Sequence, residues 1–80
     1  AYAEAQAVLA ESRDRAREDG DPASEAYALS HLGIATWGAD GPAAAEPVLR
    51  EALALHRAQG NPVGENMGLV YLALTAAEHG

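Results

Sequence analysis

Cysteine is absent from the 80-residue sequence, and with it go disulfide staples, thiolate zinc sites, redox motifs and cysteine nucleophiles. A chain this short buries only about 60% of the surface its unfolded form exposes, and a lone core of such size supplies only a few kcal/mol. Stability therefore has to be shared with neighbours. Lysine is absent too, and five arginines stand against twelve acids, for a net charge of −7. That balance repels a phosphate backbone instead of releasing its counterions, which disfavours direct nucleic-acid binding. No apolar run nears the roughly 20 residues of a bilayer crossing, and Ala1–Gly20 lacks both the basic start and the unbroken apolar stretch of a leader. No membrane contact is expected, and the chain is placed in the cytoplasm. Without an initial methionine it is expected to be a piece of a longer chain. Phenylalanine is missing and β-branched residues are scattered, so strands have no support, whereas the abundant alanine favours helix. Alanine-rich, lysine-free composition also fits a GC-rich bacterial genome.

What is present is a repeat. Shifting the chain by 40 positions pairs Val8-Leu9 with Val48-Leu49, Glu11 with Glu51, Arg17 with Arg57, Gly20 with Gly60, Pro22 with Pro62, Glu25 with Glu65, Leu29 with Leu69 and Leu32 with Leu72. Eleven of forty pairs are identical, and the Gly, Pro and Leu matches sit where geometry needs them. Each module holds two helical stripes. Ala5, Val8, Leu9, Ser12 and Ala16 recur as Ala45, Val48, Leu49, Ala52 and His56; Ala26, Leu29, Leu32, Gly33 and Thr36 recur as Asn66, Leu69, Leu72, Ala73 and Ala76. These spacings are those of one helix face.

Gly20-Asp21-Pro22 and Gly60-Asn61-Pro62 each offer a glycine to end one helix, a capping residue for the next, and a proline for its first turn. The corner Gly38-Ala39-Asp40-Gly41-Pro42 reads as looser. Four helices are expected, at 2–19, 22–37, 43–59 and 62–79, with Pro47 causing a kink near Ala43 or a late start. Small residues at Gly33, Ala45, Ala52 and Ala73 predict close helix packing. Arg13 and Arg15 stand where Leu53 and Leu55 stand one module later, which puts the first helix nearer solvent.

On these residues the sequence resembles the tetratricopeptide repeat family. The signature runs from Leu29, Leu32 and Gly33 in one helix to Ala45, Leu49, Ala52 and Leu53 in the next. The 40-residue period is longer than the usual 34, and Ala45-Glu46-Pro47-Val48-Leu49 and Ala52–Asn61 are similar to the long repeats of kinesin light chains and of LuxR-type and signalling-ATPase bacterial regulators. Asp40-Gly41 reverses the family's Gly-Asp order, Thr36 replaces an aromatic, and Ser12 replaces an alanine. The resemblance implies an all-α class: tandem antiparallel helix pairs forming an α-solenoid segment, wound as a right-handed superhelix. Residues 1–20 would be the second helix of one repeat, 21–60 a full pair, and 61–80 the first helix of the next. Stacked arrays hide each apolar face on a neighbour, so the Leu69/Leu72 face is expected to self-associate or to continue the array.

The resemblance further implies a non-catalytic protein-interaction scaffold serving regulation or signalling, with a concave surface that binds a peptide. By position that surface is Tyr27, Ser30, His31, Ile34 and Trp37, with Met67, Val70, Tyr71, Leu74 and Glu78. Tyr27, Trp37 and Tyr71 would anchor a partner, or alternatively fill the superhelix. All five arginines fall on the first and third helices, so an apolar or weakly basic segment is the expected partner, not an acidic tail. A spacer or self-association role is the second reading, and a helical-bundle metalloenzyme a remote third. His31, His56 and His79 lack the Glu-x-x-His pairing of bundle metal sites and read as surface or packing residues; Ser30 beside His31 diverges by about 100° on a helix and makes no triad. No phosphate-binding glycine loop or nucleophile elbow is present, and no cofactor is expected.

Overall fold

The computed structural model describes residues 1–79. Four helices account for nearly all of them: α1 (Tyr2–Glu18), α2 (Pro22–Asp40), α3 (Pro42–Ala58) and α4 (Pro62–His79). Among the described residues there is no strand, and no helix is long and apolar enough to cross a membrane. Each helix packs on the next in sequence, and α2 also touches α4. The zigzag makes a slab of 38 × 28 × 15 Å, an all-α helical-repeat arrangement.

The two glycine corners are built alike, bond for bond. At the first, the Gly20 N–H donates to Arg17 O at 3.2 Å and the Asp21 N–H to Ala16 O at 2.9 Å. At the second, Gly60 donates to Arg57 O at 3.0 Å and Asn61 to His56 O at 3.0 Å. This paired closure satisfies the last carbonyls of a helix and needs a left-handed residue at its pivot; Gly20 and Gly60 supply it at φ 65° and 64°. The next helix is capped in the same way, Asp21 Oδ1 accepting from the Ser24 N–H at 3.2 Å and Asn61 Oδ1 from the Gly64 N–H at 3.2 Å. A hydrogen bond from the Ser24 hydroxyl, then one from its N–H, hold the Asp21 carboxyl below the usual carboxylate range. Arg17 pairs with Glu25 at 2.9 Å, and Arg57 with Glu65 at 3.1 Å. The 40-residue repeat in the sequence is thus a repeat of hydrogen bonds.

The middle corner differs from expectation. It is tight: α2 runs through Gly38 and Ala39 to Asp40, and Gly41 alone joins it to α3, with φ 93° and ψ 174°. Two contacts from α1 lie against the last turn of α2. The Tyr2 ring lies where a Cβ on Gly38 would be, and Gln6 Nε2 donates to Asp40 Oδ2 at 2.9 Å. Nor does Pro47 delay α3, which begins at Pro42 and continues through it. Ala43 and Pro47 are both exposed, so water can reach the carbonyl that loses its partner.

The core lies between the middle helices. The expected α2 stripe, Ala26, Leu29, Leu32, Gly33 and Thr36, is buried throughout, as are Ala45, Leu49, Ala52, Leu53 and His56 of α3. Gly33 lets α3 approach so closely that an added Cβ would overlap the Leu49 side chain. The outer helices are another matter. Val8 and Ser12, expected on the packed face of α1, are exposed, and so are Asn66, Leu69, Ala73 and Ala76 of α4. The cause is positional: α2 and α3 each lie between two helices, whereas α1 packs on α2 alone and α4 chiefly on α3.

Candidate functional site

Antiparallel pairing of α1 and α2 about the Gly20 corner brings the start of α1 beside the end of α2. The α2–α4 contact then adds a third wall. The result is an open cleft of about 270 Å³ lined by Tyr2, Ile34, Trp37, Gly38, Tyr71 and Leu74. Trp37 and Tyr71 meet edge to face, with ring centroids 6.1 Å apart and planes at 79°, a favoured arrangement for aromatic pairs. No charged side chain lines this cleft. Of the acids on its two longer walls, α2 and α4, Asp40 and Glu78 lie toward this end, while Glu25 and Glu65 stand in the first turns, paired with Arg17 and Arg57.

Of the expected surface, Ile34, Trp37, Tyr71 and Leu74 come together in this cleft. Val70 is exposed and Met67 half-buried on α4, while His31 and Glu78 are exposed; none of these four lines the cleft. Ser30 departs from expectation outright. It is buried, its hydroxyl donating to Ala26 O at 3.1 Å and sitting 3.0 Å from His56 Nε2. Because α3 lies against that side of α2, the position faces the core.

Tyr27 is drawn away from the cleft as well. Its ring meets the His56 imidazole edge to face at 4.9 Å, and its hydroxyl accepts from Asn61 Nδ2 at 2.8 Å. Tyr2 takes the place expected for Tyr27 as the third aromatic. The signal for Tyr2 was available in the chain: pairing about residue 20 sets position 2 opposite position 38.

His56 is the one fully buried ring nitrogen pair in this region, and its surroundings fix its state. Since the Ser30 hydroxyl gives its proton to Ala26 O, His56 Nε2 is the donor of that contact, leaving Nδ1 to accept from Asn61 Nδ2 at 3.4 Å. Burial lowers the pKa of His56 from its ordinary 6.5, and a second ring proton would face the Asn61 amide hydrogens. Glycine at position 64 makes room, because an added Cβ would overlap the imidazole. Of the two places expected for His56, surface or packing, it takes the second: it is fully buried. The His79 side chain lies outside the described residues. Among the described residues, no three His, Asp or Glu side chains are grouped to hold a metal ion.

A second hollow, of about 230 Å³, lies at the first corner and is lined by Ser12, Arg15, Ala16, Asp19, Asp21 and Ser24. It occupies the module position that the His56 ring fills at the other corner.

Compared with known proteins, the chain matches no family model, no curated protein and no solved structure.

Proposed function

We propose that the chain is a non-catalytic interaction scaffold of the tetratricopeptide type, and that the cleft between Tyr2, Trp37 and Tyr71 takes an apolar side chain of a weakly basic peptide segment. The observation that carries this reading is the convergence of three of the four aromatic residues, from three helices, on one open and uncharged cleft. Aromatic rings give large contact area at low entropic cost. Asp40 and Glu78, near the C-terminal ends of α2 and α4 beside the cleft-lining residues, favour a partner with basic residues flanking its anchor. The repeat resemblance supports a place for this segment in the partner-sensing array of a larger cytoplasmic bacterial regulator.

Trp37 is the sole tryptophan and lines the cleft, so it reports occupancy directly. Titration with peptides bearing one leucine or phenylalanine flanked by arginines should shift its emission, and the same anchors flanked by aspartates should not. Trp37→Ala and Tyr71→Ala should each weaken binding by roughly 10-fold or more, measured calorimetrically, while helicity is kept. Equal response to both peptide sets removes the charge argument. Loss of the fold in both variants, with no peptide bound by the unaltered chain, makes the aromatic cluster a packing feature.

A further inference from the structure

A single side-chain amide serves three neighbours at the α3–α4 corner. Asn61 Oδ1 accepts from the Gly64 N–H at 3.2 Å and so caps α4, while its Nδ2 donates to the Tyr27 hydroxyl at 2.8 Å and faces His56 Nδ1 at 3.4 Å. A backbone N–H can only donate, so the cap fixes which end of the amide is the oxygen. The donating end is thereby turned on the imidazole, and Nδ1 has to be free of a proton to receive it. The first corner supplies the contrast. Asp21 holds the equivalent place there, and both its oxygens accept, from the Ser24 N–H at 3.2 Å and from the Ser24 hydroxyl at 2.6 Å. An acceptor-only cap stands beside Ala16, and a cap with one donating end stands beside the ring of His56.

A proton added at Nδ1 sets a donor against that donating end. Solvent offers the new N–H no partner, because the ring is fully buried and the α4 backbone at Gly64 lies against its Nδ1 edge. Charged groups offer none either. Of the titratable groups on the elements packed around the ring, α2 presents Tyr27 in contact, Glu25 paired with Arg17, and an exposed His31; α4 presents Glu65, paired with Arg57 of α3. Burial alone acts on the ring's pKa, and lowers it. One acceptor is left within reach, the Asn61 oxygen after a half-turn of the amide. Turned in this way, Asn61 accepts from His56 Nδ1–H and from the Tyr27 hydroxyl, and sets its own NH₂ against the Gly64 N–H, which loses its cap. A hydrogen bond from a charged donor is roughly twice as strong as one between neutral groups, so the amide follows the ring.

We propose that Asn61 is a proton-operated latch: beside a neutral His56 it caps α4, and beside a charged His56 its amide turns, holds the imidazolium and releases the first turn of α4. The released turn includes Glu65, and with it the ion pair to Arg57. The first corner, with Ala16 and Asp21 in these places, has no such response. The latch is independent of the aromatic cleft, none of whose lining residues takes part.

The test is an NMR titration of the unaltered chain and of Asn61→Asp between about pH 7.5 and about pH 4. In the unaltered chain the Asn61 side-chain amide protons should show cross-relaxation with the Tyr27 and His56 rings while the imidazole is neutral. With the midpoint of the His56 ring signals, that cross-relaxation should pass to the Gly64 N–H. In Asn61→Asp one carboxylate oxygen can keep the cap while the other accepts from Nδ1–H, as both oxygens of Asp21 accept at the first corner. The pKa of His56 should therefore cross from below its ordinary 6.5 to above it, a gain of more than about tenfold in proton affinity. Equal His56 pKa values in the two chains overturn the proposal. Asn61 amide protons that stay with the Tyr27 ring through the titration overturn it as well. So does a ring that stays neutral until the whole fold is lost, since the proton would then unfold the chain instead of turning one amide.

Discussion

Leu29 and Leu69 stand at the same place in successive modules, yet the first is fully buried and the second is 43% exposed. Both lie on helices that begin with a capped proline turn and both sit opposite the preceding helix. The difference is the helix that follows: α3 covers α2, and nothing in the described chain covers α4. In an array of this kind a helix settles its own shape, through caps and propensity, while its burial is settled by its neighbour. The corners teach the converse. Their hydrogen bonds recur at positions 40 apart whether the module is central or terminal, because they depend only on residues within a few positions.

The comparison can be broken most decisively at the two leucines. In dilute solution Leu29→Ala should cost about 2–5 kcal/mol in urea unfolding, as for truncations in a close-packed core, and Leu69→Ala less than about 1 kcal/mol; equal losses would mean that α4 is covered after all. Next is the pair Gly64 and Ser24, which share a module position. Gly64→Ala drives a methyl into the His56 ring and should cost about 1–3 kcal/mol by overpacking, whereas Ser24→Ala, at an exposed site, should cost about 0.5 kcal/mol. Thermal or urea melts that rank them the other way would show that His56 moves aside freely.

The two caps give a finer distinction. Asp21→Ala should cost about 1 kcal/mol, the usual loss for a cap. Asn61→Ala should cost about 2 kcal/mol, since it also strips His56 Nδ1 and the Tyr27 hydroxyl of their donor. The smallest effect belongs to pH. His56 has its pKa lowered in the folded chain, so the unfolded chain takes up the proton first. The stability given by the neutral ring is complete above about pH 6.5, the unfolded value, and is lost as pH falls from there through the folded value. The first module has Ala16 at that place, so protection from amide exchange, taken relative to the intrinsic rate at each pH, should fall at the α3–α4 corner more than at the α1–α2 corner between pH 7.5 and pH 5.5, and His56→Gln should abolish the difference.

The corners and the middle helices were legible in the sequence because Gly20-Asp21-Pro22 and Gly60-Asn61-Pro62 are local instructions, and because a 3.6-residue stripe of leucine and alanine names its own buried face. Gly38 reads as a helix end from local sequence alone, whereas in the fold it lies within α2 with the Tyr2 ring, far away along the chain, in the space a side chain would need. Periodicity identifies a face without saying how wide it is. Ser30 lies at the edge of the α2 stripe, and only the arrival of His56 from α3 puts it inside. Two of the three cleft aromatics were legible: Trp37 and Tyr71 follow from the module register, while Tyr2 enters from outside that pattern by hairpin pairing, and Tyr27 is instead bonded through its hydroxyl to Asn61.

The matching bonds at Gly20 and Gly60 bear on how such a chain can change length. Duplicating one forty-residue stretch would add a helix pair and leave every joint as it was, with Arg and Glu meeting across the new joint as they do across the old. An insertion of two or three residues inside a helix would rotate everything beyond it and bring polar side chains round to the seam. Growth by whole modules is therefore the cheap route for this architecture, and fractional growth the disruptive one.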